Sequence, residues 1–167
     1  MPTVTLLPDG AGATDSGWVT SSGTANECLD DDNGDTSYVS CSTHADEMII
    51  RYQDLSDVGV NESDVESIDS VQFVSSGRST NRRLNSFVTI SFHLPYAAFG
   101  EACQFDAHAS SYETIYGTIR TTNGSPSGWS YADTTALNMK CYKSFTVEVR
   151  LSYLALKVAY TEAAEDN

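Results

Sequence analysis

The segment CLDDDNGDTSYVSC, residues 28–41, concentrates more potential chemistry than any other stretch of the chain. Asp30, Asp31, Asp32 and Asp35 fall within six residues, with Cys28 and Cys41 at the ends. Carboxylates at this density suit a hard cation such as Ca²⁺, which takes about six to eight oxygen ligands, and a glycine such as Gly34 lets backbone carbonyls converge. The EF-hand register fails, because placing Gly34 at its sixth position puts Leu29 first, where an aspartate is needed. Two other readings stand beside the metal loop. One is a turn closed by a disulfide. The other is a solvated corner in which Asp35 or Thr36 makes local turn hydrogen bonds. No cation neighbours these aspartates in the sequence, so without a metal they should repel one another.

The four cysteines, Cys28, Cys41, Cys103 and Cys141, allow three pairings. Cys28 with Cys41 would staple the acidic corner and leave Cys103 with Cys141. The equal alternative is four half-buried thiols packed as small apolar groups. No Cys-x-x-Cys spacing occurs, so a zinc knuckle is not expected. His44, His93 and His108 are scattered and not at metal-ligand spacing. A Gly-x-Ser-x-Gly elbow, a His-Glu-x-x-His helix and a phosphate-cradling glycine loop are all missing. A carboxylate pair for glycoside hydrolysis needs a cleft and one raised pKa, and nothing local marks such a pair. The expectation is a protein that binds and does not catalyse.

Binding chemistry is available from rings and guanidinium groups. Trp129, Tyr131, Tyr112 and Tyr116 flank turns and are the candidate glycan-stacking platform. The competing reading makes Trp18 and Trp129 plugs at the ends of a sandwich. Arg78, Arg82 and Arg83 gather in the polar stretch SSGRSTNRR, expected as a loop. They are candidates for pairing with an acidic neighbour subunit, or they form a solvated hairpin tip.

Composition sets the outer bounds. The 167 residues suit one domain with a real core, and 40% of them are apolar. Acidic residues outnumber basic ones 23 to 9, a formal charge of −14, so nucleic acid is not an expected partner. No apolar run approaches the roughly 20 residues of a membrane span, and the opening MPTVTLLPDGAGATDSG does not read as a secretion leader. An acidic surface with only three lysines, Lys140, Lys143 and Lys157, suits a saline setting, or solubility alone.

Short alternating segments separated by Gly, Ser, Asn and Asp must position these groups. Strands are expected at Thr3 to Leu7, Tyr38 to Ser40, Glu47 to Tyr52, Ile68 to Val74, Asn85 to Leu94 and Tyr112 to Ile119. Within Asn85 to Leu94, Val88, Ile90, Phe92 and Leu94 form the core face. Val58 to Ser67 reads as an acidic loop, and Ser130 as the cap of a short helix through Asn138. In FTVEVRLSYLALKVAY, Phe145, Val147, Val149 and Leu151 share a face, and then the apolar set becomes Leu154, Leu156, Val158 and Tyr160. The one-residue slip at Ser152 predicts a β-bulge or a strand that changes sheet. The fold class expected is all-β, a single jelly-roll β-sandwich of about 8–10 strands with at most one short helix. Residues 1–17 would form an N-terminal strand and arm open to inter-subunit contact, 18–162 the sandwich, and 163–167 an acidic tail.

The stretch SGTANECLDDDNGDTSYVSCS resembles the first corner of galactose-binding-like, discoidin-type jelly rolls, through Ala25, Asn26, Leu29, Asp32, Asp35, Thr36 and Tyr38. That resemblance implies a structural Ca²⁺ held by Asp32, Asp35, Thr36 and, from the last strand, Glu162. The second half, PSGWSYADTTALNMKCYKSFTVEVRLSYLALKVAYTE, resembles the closing part of jelly-roll virion proteins of tailed phages. It implies a non-enzymatic virion structural protein of a tailed virus, a surface decoration, cement or tail-associated subunit. Its partners would be other capsid or tail proteins, and it would assemble as a trimer or higher homo-oligomer. The alternative is a carbohydrate-binding or host-attachment module. Neither reading invokes a membrane.

Overall fold

The computed structural model describes the chain except residues 15–16, 45, 81–85, 93–99, 106–110, 125–127, 136, 144–146 and 165–167, and gives backbone alone at 11–14, 86–87, 92 and 100–105. Two sheets face each other. The first contains β1 (Thr3–Leu6), β3 (Trp18–Thr20), β4 (Val39–Cys41), β6 (Val65–Ser79), β9 (Glu113–Tyr116) and β11 (Val149–Glu162). Its order is β3-β4-β11-β6-β9, and β1 pairs with β11 farther along the edge that β4 uses. The second contains β2 (Pro8–Thr14), β5 (Glu47–Tyr52), β7 (Ser86–Phe92), β8 (Gly100–Phe105) and β10 (Asn138–Lys143), in the order β2-β5-β10-β7-β8. One short α-helix, α1 (Tyr131–Thr134), and three 3-10 turns, Gly34–Thr36, Leu55–Val58 and Glu62–Asp64, complete the described elements. The architecture is the all-β jelly-roll sandwich that the alternation predicts.

β11 is the axis of the first sheet, and its sequence explains its shape. Leu151 pairs with Gly77 and Tyr153 with Ser76, so Ser152 is the extra residue of a bulge. The bulge resets the inward phase from Val149 and Leu151 to Leu154, Leu156 and Val158, all fully buried. Opposite them the second sheet buries Met48, Ile50, Val88, Ile90, Met139 and Cys141 completely. Each such side chain contributes about 1.5–3 kcal/mol by leaving water. Tyr52, also in this core, crosses between the sheets, and its hydroxyl donates to the Leu154 carbonyl at 3.0 Å. Tyr52→Phe strands that carbonyl and is expected to lower stability by about 1–2 kcal/mol, read as a shift in the urea unfolding midpoint.

Several expectations change. The N-terminal arm is not an arm: after β1 only Leu7 intervenes before β2 joins the other sheet. Leu7 is fixed at the crossing, donating to the Gln53 Oε1 at 3.0 Å while its carbonyl accepts from the Gln53 N–H at 2.9 Å. Pro8 opens β2, an edge strand, where its missing N–H is tolerated. The polar stretch after Val74 continues as strand to Ser79, so Arg78 is a sheet residue and not a loop residue. The acidic stretch at 58–67 gives its last residues, Val65 to Ser67, to β6. Ser130 does cap a helix, through its hydroxyl and the Asp133 carboxylate, but Asn138 already begins β10.

The cysteine staples do not form. The Cys28 thiol donates to the Ser22 carbonyl at 2.8 Å, and the Cys41 thiol to that of Thr43 at 3.4 Å, both from buried positions. Cys103 pairs with Val88 across one edge of β7, and Cys141 with Ile90 across the other. Two strand spacings separate them, about 10 Å, beyond the ~7 Å Cα reach of a disulfide.

Candidate functional site

The outer face of the first sheet collects the side chains with binding chemistry, and strand register sets their order. The first row holds Val19, Ser40, Arg150 and Arg78. Next come Tyr153 and Ser76 with Thr114, then Ala155 and Val74 with Tyr116. Lys157 with Gln72, and Ala159 with Ser70, follow toward β1. Val74 and Ala155 are buried yet lie outside the core cluster, as expected for small apolar residues beneath neighbouring rings on an outer face.

The acidic corner closes one end of this face. Arg78 and Arg150 stand directly opposite each other on β6 and β11, a like-charge pairing that destabilises a sheet. Asp35 resolves it: its Oδ1 accepts from the Arg78 Nη2 at 2.6 Å and from the Arg150 Nη1 at 3.1 Å. Arg150 also donates through Nε to the Glu148 Oε1 at 2.8 Å, and that bond, ahead of the one to Asp35, raises its pKa. The Arg150 guanidinium lies 4.5 Å from the Tyr38 ring centroid, and that of Arg78 5.5 Å from Tyr112. The Tyr112 ring packs beside Gly34, where a φ of +61° strains any other residue and an added Cβ would come within 3.3 Å of that ring. Burial, then Asp35, push the Tyr112 phenol up to about 12. At the bulge, Ser152 donates to the Asp32 Oδ1 at 3.1 Å. The corner is thus an arginine clamp, and the expectation that its aspartates lack a cation is corrected for Asp35. Asp35→Ala is expected to cost about 1 kcal/mol, with Asp35→Asn intermediate, measured by chemical denaturation.

Beyond the clamp the face is more open. Tyr116 and Ile119 are each 59% exposed. The Lys157 Nζ sits 5.2 Å from the Tyr116 centroid. Burial pushes the Tyr153 phenol up, and Asp32 and Tyr116 beside it add to the push. Gln72 donates its amide to the Gly117 carbonyl at 2.7 Å, which holds the loop after β9 onto the sheet.

The structure sorts the remaining candidates. Tyr112 and Tyr116 belong to this face. Trp129 does not: it is buried at 6% exposure, and its Nε1 donates to the Arg120 carbonyl at 2.9 Å. It plugs the sandwich, as does Trp18 at 7%. Tyr131 is drawn elsewhere, its hydroxyl donating to the Val60 carbonyl at 2.8 Å. The implied calcium ligands do not meet. Asp32, Asp35 and Thr36 lie near the start of β11, whereas Glu162 ends that strand, on the order of 35 Å away, beside a cleft lined by Val60, Asp64 and Tyr160. Among the described residues no group of three or more His, Cys, Asp or Glu side chains is arranged to hold a metal ion. Arg82, Arg83, His93 and His108 lie outside the described residues. Sequence reasoning missed Tyr38, Tyr153, Arg150 and Lys157, although the bulge at Ser152 already placed Tyr153 and Lys157 on the face opposite the core.

No protein-family model matches the chain, and no curated protein matches it in sequence. Solved structures do. The chain is similar to the C-terminal CBM6 of LamC, a marine laminarinase from Zobellia galactanivorans, with a TM-score of 0.54 over 93% of this chain and 98% of that one, at 6% identity. The CBM22-1 xylan-binding domain of Paenibacillus barcinonensis Xyn10C gives a TM-score of 0.45 at 11% identity, covering 95% of this chain and 94% of that one. The family 11 carbohydrate-binding module of Clostridium thermocellum gives 0.43 at 13% identity, covering 93% and 86%. The fold is therefore a jelly-roll β-sandwich of the kind found in carbohydrate-binding modules. Nothing in the likeness to the CBM6 points to a virion protein, so the virion reading, its capsid or tail partners and its oligomer are without support.

Proposed function

We propose that the chain is a glycan-binding module whose platform is the outer face of the β3-β4-β11-β6-β9 sheet. The observation that carries the reading is the order of side chains on that face. Tyr112, Tyr153 and the exposed Tyr116 are interleaved with Arg78, Arg150, Gln72 and Lys157. Sugar rings offer apolar C–H faces edged by hydroxyls. Aromatic rings cover the former, and planar or charged groups fix the latter. The arginine clamp suits this role, because guanidinium groups already locked by Asp35 and Glu148 lose little freedom when a ligand arrives. The similarity to a carbohydrate-binding module of a laminarinase supports the same reading at the level of fold.

The action proposed is binding without turnover. Affinity electrophoresis through gels containing β-glucans, xylan, galactans and polyuronates tests it. Retardation in at least one gel, relieved by soluble oligosaccharide of the same type, is the expected result. Unchanged mobility in every gel overturns the reading.

A further inference from the structure

The β1 end of the platform has a chemistry of its own. Thr3, Ser70, Gln72, Ile119, Lys157 and Ala159 line a groove of about 420 Å³, within the range of small-ligand sites. The other cations of this face are already neutralised, Arg78 by Asp35 and Arg150 by Asp35 and Glu148. Lys157 is different. Among the described residues it makes no ion pair, and its ammonium is held near the exposed Tyr116 ring. Asp69, a neighbouring carboxylate on β6, is engaged by the Ser67 hydroxyl at 3.0 Å and the Thr161 hydroxyl at 2.9 Å. The Gln72 amide is turned toward the Gly117 carbonyl.

Building on the glycan-binding reading, we infer that this groove is a subsite for an anionic substituent of an acidic polysaccharide, a uronate carboxylate or a sulfate ester, seated on Lys157 with its sugar ring against Tyr116 and Ile119. Lys157 is a half-buried side chain with no ion pair among the described residues, and a charge-assisted hydrogen bond to an anion suits such a cation better than one to a neutral hydroxyl does. The chain's net charge of −14 opposes a polyanion at long range. At physiological ionic strength that repulsion is screened beyond about 8 Å, whereas the contact at Lys157 is closer than that.

The test compares matched pairs at about 0.15 M salt by isothermal titration calorimetry. One pair is polygalacturonate against its methyl ester, the other a sulfated galactan against the desulfated polymer. The charged member of at least one pair is expected to bind about tenfold tighter, the worth of one charge-assisted hydrogen bond. Preference in the first pair alone assigns a carboxylate, and in the second alone a sulfate. Lys157→Gln should erase the preference, so that the charged and neutral members of a pair bind that variant equally whatever its affinity for the neutral one, and Lys157→Arg should retain it. Equal binding within both pairs, or a preference that survives Lys157→Gln, overturns the inference and leaves the glycan reading standing. No binding to these polymers or to the neutral glycans of the gel panel removes both.

Discussion

Replacing Tyr116 by alanine is expected to lower affinity for a bound oligosaccharide about tenfold to a hundredfold, the range found when an aromatic anchor is truncated. Tyr116 is the most exposed of the platform rings, at 59%, and lies across from Val74 on the outer face. A ligand stacking there gains ring area at little conformational cost, because the neighbouring Lys157 already restrains the ring. Folding should change little, since an exposed residue away from the core rarely contributes more than about 0.5 kcal/mol, here with the Lys157 contact added. Titration calorimetry with Tyr116→Ala, Tyr116→Phe and the unaltered chain separates stacking from the hydroxyl: phenylalanine should keep most of the affinity. Equal affinities in all three would show that the ring is not part of the site.

The second large effect lies in the core. Lys143 ends β10 on its inward face, fully buried, and its ammonium has no hydrogen-bond partner among the described residues. Burial lowers its pKa, and the nearby Cys41 and Asp46 oppose that shift without reversing it. A buried ammonium in this position is a liability that an apolar side chain of similar length removes. Lys143→Met is therefore expected to raise stability by about 2 kcal/mol near neutral pH. The pH dependence follows from the direction of the shift. In the unfolded chain the amine titrates at about 10.4, and in the folded chain at a lower value. Between the two, the unfolded state binds more protons, so the native chain gains stability as pH rises through that window. The advantage of Lys143→Met should thus be fully present below the folded-state value and shrink toward pH ~10.4. Denaturant midpoints of both chains at neutral and alkaline pH provide the check.

What the sequence could reveal depended on whether the cause was local. The bulge at Ser152, the span of β5 and the Ser130 cap each follow from residues a few positions apart, and all three were readable. β8 was not, because GEACQF carries no clean alternation and owes its extended form to pairing with β7. Pro8-Asp9-Gly10 reads as a turn, but pairing with β5 holds it as an edge strand. The arginine clamp shows the same limit at the site. Asp35 is 43 residues from Arg78 and 115 from Arg150, so no local pattern could separate a cation-bridging aspartate from a metal ligand. Trp129 was offered as a platform residue because it flanks a turn, yet the Arg120 carbonyl satisfies its N–H and leaves the ring to the core.

The most direct test of the platform is a map of the bound surface. Backbone amide shifts recorded while a retarded oligosaccharide is titrated should move along β11, β6 and β9, centred on Tyr116, Tyr153 and Lys157. Shifts confined to the cleft around Val60, Asp64 and Glu162, or to the outer face of the β2-β5-β10-β7-β8 sheet, would contradict the account.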